Sequence, residues 1–185
     1  MKNLLIITAL LLCFTSYAQK DANSKFQIGI AYSLTNENFI FNNPISASIN
    51  YQIKKWDNIA INAGISVLYF PIKQSGFFTD KWAYNPNISA SYNFKNSKFG
   101  CYFALGYYYD SRTNNYDLTD FFVTSIIQNI TINGVTFAPG AKYFVSSTIF
   151  IDANLTLLMA QSKDNFGTTE SANNAFFNIG LGVAF

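Results

Sequence analysis

Lys142 and Asp152 are two residues of opposite charge on the polar face of neighbouring alternating runs. If the turn between the runs is tight, Tyr143 pairs with Ile149, which places Lys142 opposite Phe150 and diagonal to Asp152. No other charges fall on this inward face in the sequence pattern. The two side chains could form an ion pair that fills a narrow interior, or one that gates a pore. Removing one partner would leave the other uncompensated.

A second group of charges lies in the longest break of the pattern, from Asp110 to about Gln128. It contains Arg112 and three carboxylates, those of Asp110, Asp117 and Asp120. Three nearby carboxylates could bind a cation, but their spacing does not match a calcium-binding loop. We therefore favour a solvated loop face and predict no metal site.

The sequence contains no histidine, which removes the commonest general base and the commonest metal ligand. Serine–histidine catalysis is impossible without it, so lipid hydrolases that depend on such a pair are disfavoured. An acidic pair remains chemically conceivable, but no spacing supports one. We predict a non-enzymatic protein without a cofactor. A formal net charge of +2 gives no reason to expect a nucleic-acid partner.

Aromatic side chains in two of the long breaks are candidates for recognition. They could stack on the sugars of lipopolysaccharide or of a host glycan, or pack on one another, and both interpretations stay open. The residues are Phe77, Phe78, Tyr116, Phe121 and Phe122. The break after Asp110 also carries apolar residues, which predict an ordered flap for contact with a protein or glycan. Strands that simply extend beyond the membrane explain the same pattern.

Eight runs of alternating apolar and polar residues must position these side chains. Asn, Ser, Gly and Gln fill the polar positions, which predicts strands with one face in lipid and one on a wet interior. The runs start at Phe26, Ile45, Ile59, Tyr84, Phe99, Val135, Ile149 and Ala175. The breaks between them alternate long and short, as in barrels with short turns at one end. We predict an all-β, eight-stranded, antiparallel, up-and-down transmembrane β-barrel, whose narrow interior favours a structural role for the Lys142 and Asp152 pair.

Composition agrees with that architecture, since aromatic residues make up 18% of the chain and charged residues only 12%. Tyrosines near the ends of the runs fall where interfacial aromatic belts belong.

The strand register is ambiguous at the start of the sixth run. Apolar positions change parity between Ile132 and Val135, where Asn133-Gly134 indicates either a hairpin or a bulge.

The first 18 residues have the pattern of an export signal. Lys2 precedes an apolar run that is too short to span a membrane as a helix, and small residues precede a cleavage site after Ala18. A lipoprotein is disfavoured because Leu12, not a small residue, precedes Cys13. Residues 19–185 then form the barrel domain. Cys101 is left as its single cysteine, and the register points it to lipid, where it is inert.

The last run alternates strictly and ends on an aromatic residue, with apolar positions at Phe177, Ile179, Leu181, Val183 and Phe185. It resembles the closing strand of small outer-membrane β-barrel proteins of the OmpA and OmpX type, in which such a strand is the assembly signal. Pro139 to Ser146 also resembles the PG-x-x-YF hairpin of Bacteroidetes-type outer-membrane barrels. The resemblance implies the bacterial outer membrane, contact with its lipid and lipopolysaccharide, and insertion by the barrel-assembly machinery. It fixes no activity.

We interpret the chain as an outer-membrane barrel whose external loops serve adhesion, recognition or envelope integrity. A narrow pore for small solutes is the first alternative and predicts conductance. A secreted, lipocalin-like barrel that binds an apolar ligand is the second, and it predicts apolar side chains turned inward.

Overall fold

The computed structural model describes residues 25–35, 43–71, 81–116 and 126–185. Nine strands lie in these ranges. They are β1 (Phe26–Thr35), β2 (Ile45–Trp56), β3 (Ile59–Phe70), β4 (Lys81–Asn93), β5 (Phe99–Tyr116), β6 (Ile126–Phe144), β7 (Ile149–Asp164), β8 (Thr169–Ser171) and β9 (Asn174–Ala184). Within the same ranges, no helix is long and apolar enough to cross a membrane.

The long strands close on themselves as an antiparallel barrel. Each of β1 to β7 pairs with the next, and β9 joins β7 to β1, so the described ladder has no open edge at membrane depth. The short β8 continues alongside β7 where β9 has ended. The predicted eight-stranded, antiparallel β-barrel is confirmed.

Short and long connections segregate to opposite ends of this barrel. Residues 57–58, 94–98 and 145–148 make the short turns between β2 and β3, β4 and β5, and β6 and β7. We call this end the turn end. The connections after β1, β3, β5 and β7 lie at the other end, which we call the loop end.

Alternation along each strand separates an apolar exterior from a mostly polar interior. Outward side chains such as Ile30, Ile88 and Leu181 are 56–61% exposed in the isolated chain. Aromatic pairs frame this surface, including Phe99 with Tyr143 at the turn end and Tyr69 with Trp82 at the loop end. A soluble barrel that binds an apolar ligand would have the reverse polarity, so the lipocalin-like alternative is wrong.

The strands β5 and β6 are longer than the sequence pattern predicts. Their pairing runs without a shift from Phe99↔Tyr143 to Tyr116↔Ile126, so neither a hairpin nor a bulge interrupts β6 at Asn133-Gly134. The change of parity has another cause. Ile130 and Ile132 point inward, where Ile132 is only 7% exposed.

The turn between β6 and β7 is also looser than expected. Tyr143 pairs with Ile151 rather than with Ile149, because Val145 already donates its backbone N–H to the Ile149 carbonyl at 2.9 Å. This shift of two residues makes Lys142 and Asp152 direct cross-strand partners. The predicted diagonal arrangement is therefore wrong.

The apolar exterior predicts a depth-dependent response to charge. Ile88→Arg, near the middle of the outward face of β4, should lower the free energy of unfolding in lipid by about 2–4 kcal/mol, because a guanidinium at the bilayer centre is costly. The matched control is Ser111→Arg, on the exposed outward face of β5 beyond the aromatic frame. Its cost should be about 0–1 kcal/mol. Urea unfolding in vesicles measures both, and equal costs would contradict the assigned faces.

Candidate functional site in the barrel lumen

Neutral polar side chains fill the middle of the lumen. The Asn178 amide donates to Asn154 Oδ1 at 2.6 Å and to Thr156 Oγ1 at 3.0 Å. Across the lumen, Asn62 donates to Ser91 Oγ at 3.2 Å. These side chains line a cavity of about 120 Å³, which has room for several water molecules.

Lys142, Asp152 and the side chains around them line the turn-end part of this cavity. Lys142 donates a short hydrogen bond to Gln27 Oε1, and its ammonium lies 4.7 Å from the centre of the Phe150 ring and 5.1 Å from that of Tyr102. Asp152 accepts a hydrogen bond of 2.7 Å from the Tyr102 hydroxyl. Both charges are thus held by inward side chains of other strands.

Lys142 and Asp152 do not form the direct ion pair expected from the sequence. The salt bridge seen among the described residues joins Lys81 and Asp110 at the other end of the barrel. Instead, the Tyr102 hydroxyl donates to the carboxylate of Asp152, and the rings of Tyr102 and Phe150 lie beside the ammonium of Lys142.

The space for Tyr102 depends on Gly140, the glycine of the PG-x-x-YF hairpin. Gly140 pairs with Tyr102 across β5 and β6, and a Cβ atom at position 140 would overlap the tyrosine ring. The absence of a side chain there lets the ring lie across the lumen and reach Asp152.

The loop end contains the salt bridge, between Lys81 and Asp110, which we call the loop-end pair. Its side chains are only 6% and 0% exposed. The Tyr108 hydroxyl donates to Asp110 Oδ2 at 3.0 Å, and the ammonium of Lys81 lies 4.6 Å from the centre of the Phe70 ring. The other oxygen, Asp110 Oδ1, has no hydrogen-bond partner among the described residues.

Apolar side chains surround the loop-end pair and narrow the lumen there. We call this group the apolar collar, and its members are Leu68, Phe70, Ala83, Tyr108, Ile132, Leu158, Ala160 and Phe176. Leu68, Tyr108 and Phe176 also line the cavity, so the collar forms the cavity's wall toward the loop end. A charge in this setting depends strongly on its partner, because little water is available to replace it.

The loop-end pair corrects two sequence-based predictions. Asp110 and Arg112 lie in β5 and not in a solvated loop, and Lys142 and Asp152 are not the only charges inside the barrel. The sequence did contain a signal for this pair. Asp110 and Arg112 continue the even-numbered inward positions of β5, and Lys81 continues the odd-numbered inward positions of β4. Finding the pair also needed the register that brings Ala83 opposite Asp110.

Most of the predicted recognition aromatics fall outside the described residues, namely Phe77, Phe78, Phe121 and Phe122, as do Asp117, Asp120 and the predicted signal segment. Tyr116 ends β5, and its side chain is not described. A different aromatic residue is exposed at the loop end. Phe166, in the turn between β7 and β8, is 64% exposed.

Hydrogen bonds to Asp164 fix the turn that carries Phe166. Asp164 Oδ1 accepts from the backbone N–H of Thr168 at 2.7 Å and from that of Phe166 at 3.1 Å. Desolvation is the largest single influence on this carboxyl and raises its pKa. The hydrogen bonds together outweigh it and hold the pKa of Asp164 below its usual range.

The predicted assembly residues lie on the strand that closes the barrel. Phe177, Ile179 and Leu181 point outward and are 43–56% exposed. At the turn end, Phe185 and Phe26 exchange backbone hydrogen bonds of 2.8 and 2.9 Å, and their rings stack with centres 6.0 Å apart. Cys101 is exposed on the outward face, as its parity predicts.

The loop-end pair predicts strong coupling between its partners. Asp110→Asn and Lys81→Met should each lower the free energy of unfolding by about 3–5 kcal/mol, because each leaves a buried polar group without compensation. The double variant should cost at least ~1 kcal/mol less than the sum of the two. Urea titrations in vesicles give the double-mutant cycle, with exposed Glu170→Gln as the control. Additive, small effects would contradict a buried pair.

Comparisons with known proteins agree with this geometry. The N-terminal β-barrel domain of Pseudomonas aeruginosa OprF is similar at 15% identity and a TM-score of 0.55, over 86% of this chain and 97% of that one. Neisserial surface protein A is similar at 16% identity and a TM-score of 0.54, over 86% and 96%. Ail, the attachment invasion locus protein of Yersinia pestis, was solved with the heparin analogue sucrose octasulfate. It is similar at 15% identity and a TM-score of 0.58, over 86% and 96%.

At identities this low, the structural similarity shows a shared fold and nothing further. A search of curated protein sequences gives no significant match. The family described as "Outer membrane protein beta-barrel domain" matches residues 6–185, nearly the whole chain. Together with the apolar exterior and the closed antiparallel ladder, this match places the protein in the bacterial outer membrane. The chain belongs to the outer membrane protein β-barrel family.

Proposed function

We propose that this protein is a non-enzymatic recognition or adhesion barrel that presents a rigid surface outside the cell and does not conduct solutes. The single observation that carries the proposal is a sheet that projects beyond the apolar exterior at the loop end. In outer-membrane barrels the longer connections face outward, so this sheet lies on the external side.

The projecting sheet is built from β5, β6, β7 and β8. Along β5, outward positions change from Tyr107 and Tyr109 to Ser111 and Thr113, which marks the end of the lipid-facing surface. Seven further residues after Tyr109 continue the ladder with β6, a rise of about 24 Å along the strand. The exposed polar side chains of Ser111, Thr113 and Asn129 on this sheet are accessible to a partner from solution.

Side-chain hydrogen bonds hold the projecting strands together. Thr113 Oγ1 donates to Asn129 Oδ1 at 2.8 Å, joining β5 to β6. Gln128 donates to Asp164 Oδ2 at 3.1 Å, joining β6 to the turn that carries Phe166. This order lowers the conformational entropy that would be lost on binding.

Phe166 supplies an aromatic anchor on that surface. Sugars and proteins both bind exposed aromatic faces, and a residue whose backbone is held by a short turn loses less backbone freedom when it is covered. We propose that Phe166 acts together with the predicted recognition aromatics at the same end, Phe77, Phe78, Tyr116, Phe121 and Phe122.

The charge of the loop-end segments favours an uncharged partner. Outside the mutually compensated Lys81 and Asp110, these segments contain six acidic and three basic residues, namely Glu37, Asp80, Asp117, Asp120, Asp164 and Glu170 against Lys73, Arg112 and Lys163. Ail, which is similar in fold alone, was solved with a sulfated heparin analogue. An acidic surface would repel such an anion, so we propose a neutral glycan or a protein as the ligand of this chain.

The filled lumen favours this proposal over a narrow pore. A solute moving through the barrel would have to displace the apolar collar and separate the loop-end pair. We propose that the charged residues, including Lys142 and Asp152, brace the barrel and do not gate it.

Two further proposals concern biogenesis. We propose that residues 1–18 form an export signal that is cleaved after Ala18, and that the closing strand β9 is the assembly signal read by the barrel-assembly machinery. The outward alternation of Phe177, Ile179 and Leu181 is compatible with that role.

The recognition proposal predicts that Phe166→Ser lowers binding by intact cells. We expect a loss of about tenfold, equivalent to roughly 1.4 kcal/mol for one buried aromatic contact. Cells producing the wild-type chain or the variant would be tested on immobilised neutral glycans, lipopolysaccharide core sugars and matrix proteins, with sucrose octasulfate as the anionic comparison.

Phe94→Ser is the matched control, because Phe94 is an exposed aromatic at the turn end, inside the envelope. It should leave binding unchanged if surface levels are equal. Equal losses for both variants, or preferential binding of sucrose octasulfate by the wild-type chain, would contradict a neutral ligand at the Phe166 surface.

A further inference from the structure

The turn end carries an excess of positive charge that neither the lumen nor the external surface explains. Five lysines are exposed there, namely Lys25, Lys54, Lys55, Lys95 and Lys98. Asp57 is the one carboxylate side chain in the described turns of this end. The loop-end segments have the opposite balance, so the charge is distributed unequally along the barrel axis.

These lysines are confined to one side of the rim. Lys25 precedes β1, and its backbone carbonyl accepts from Gln52 N–H at 2.7 Å, next to Lys54 and Lys55 on β2. The β2–β3 turn touches the end of β4 through a hydrogen bond of 2.9 Å from Asn93 N–H to the Asn58 carbonyl, which leads to Lys95 and Lys98. The turn between β6 and β7, with residues 145–148, has no charged side chain. We call the five residues the lysine arc.

The arc borders the lipid-facing surface directly. Lys54 places its ammonium 4.7 Å from the centre of the Trp56 ring, and Trp56 is 51% exposed on the outside. Phe94 and Phe99, 48% and 55% exposed, flank the turn that carries Lys95 and Lys98. Trp and Phe at this depth mark the membrane interface, and lysine side chains extend from it toward the headgroups.

We propose that the lysine arc is a binding surface for anionic phospholipid headgroups of the periplasmic leaflet. In outer-membrane barrels the short turns face the periplasm, so the arc lies at the level of phosphates in that leaflet. Lysine is a compact point charge with three donors, which suits phosphate oxygens without requiring one fixed geometry. Clusters of four to eight basic residues beside a membrane surface attract anionic lipids, at about 1 kcal/mol per residue.

The arrangement of the two tryptophans allows a direct test, because Trp56 lies beside the arc and Trp82 lies at the opposite end of the barrel. The protein would be reconstituted in phosphatidylcholine vesicles that contain a minor fraction of brominated phosphatidylglycerol or of brominated phosphatidylcholine, which quench nearby tryptophan. Trp82→Phe reports on the arc alone, and Trp56→Phe reports on the control end. Both leaflets have the same composition, so the direction of insertion does not affect the result.

We expect phosphatidylglycerol to be enriched on the order of threefold around Trp56 and not around Trp82. The enrichment should disappear when Lys54, Lys55, Lys95 and Lys98 are replaced by Gln, and it should fall at high salt because exposed charges are screened. A heat-dependent mobility shift in SDS gels verifies that the replaced protein is folded. If the protein with four lysines replaced does not fold, the salt series on the wild-type protein still tests whether the enrichment is electrostatic.

Three outcomes would overturn the proposal. They are equal quenching of Trp56 by the two lipids, an equal preference at Trp82, and a preference at Trp56 that survives the replacement of the lysines. Co-sedimentation with purified peptidoglycan sacculi that requires the lysines, without any lipid preference, would also overturn it and assign the arc to the cell-wall polymer.

Discussion

The hydrogen bonds between β1 and β9 are the constraint on which the rest of the structure depends. In hydrocarbon no water is available to pair with backbone amides and carbonyls, so a strand edge in the membrane is unstable unless it is paired. Nine residue pairs from Gln27↔Ala184 to Thr35↔Phe176 remove that edge. Once the ladder is closed, every side chain has one of two environments, and the alternation of the sequence follows from that division.

The division leaves a lumen that must be filled at the diameter of an eight-stranded barrel. Its middle is filled by Asn, Ser and Thr side chains that bond one another, and its ends by charges in two different settings. At the turn end, Tyr102 contacts both Lys142 and Asp152, which form no direct salt bridge with each other. At the loop end, an apolar collar surrounds a direct pair of Lys81 and Asp110. The loop-end pair is less accessible to water than the turn-end residues, so each of its charges needs an opposite charge in direct contact.

Strand polarity could be predicted from the sequence because it follows from a period of two that needs no long-range information. The outward Phe177, Ile179 and Leu181 illustrate this. The closed barrel was predicted from the alternation of long and short breaks and from the resemblance of the last run to a closing strand. The loop-end pair could not be found in either way. Its members stand 29 positions apart in the chain, and apolar inward residues such as Ile132 erase the alternation around them. The register of the β6–β7 turn was missed for a similar reason, since turn length decides the register and Val145 to Thr148 carry no strong turn signal.

The account therefore has one central physical claim, which is that the lumen is filled and closed at the loop end by the apolar collar and the buried pair within it. Ion conductance of the reconstituted wild-type protein across a planar bilayer tests this claim most directly. A filled lumen predicts no steady conductance above that of the protein-free bilayer, at either sign of the applied voltage. Long-lived, uniform open-channel steps that scale with salt concentration would contradict the closed lumen and make the narrow pore the correct description.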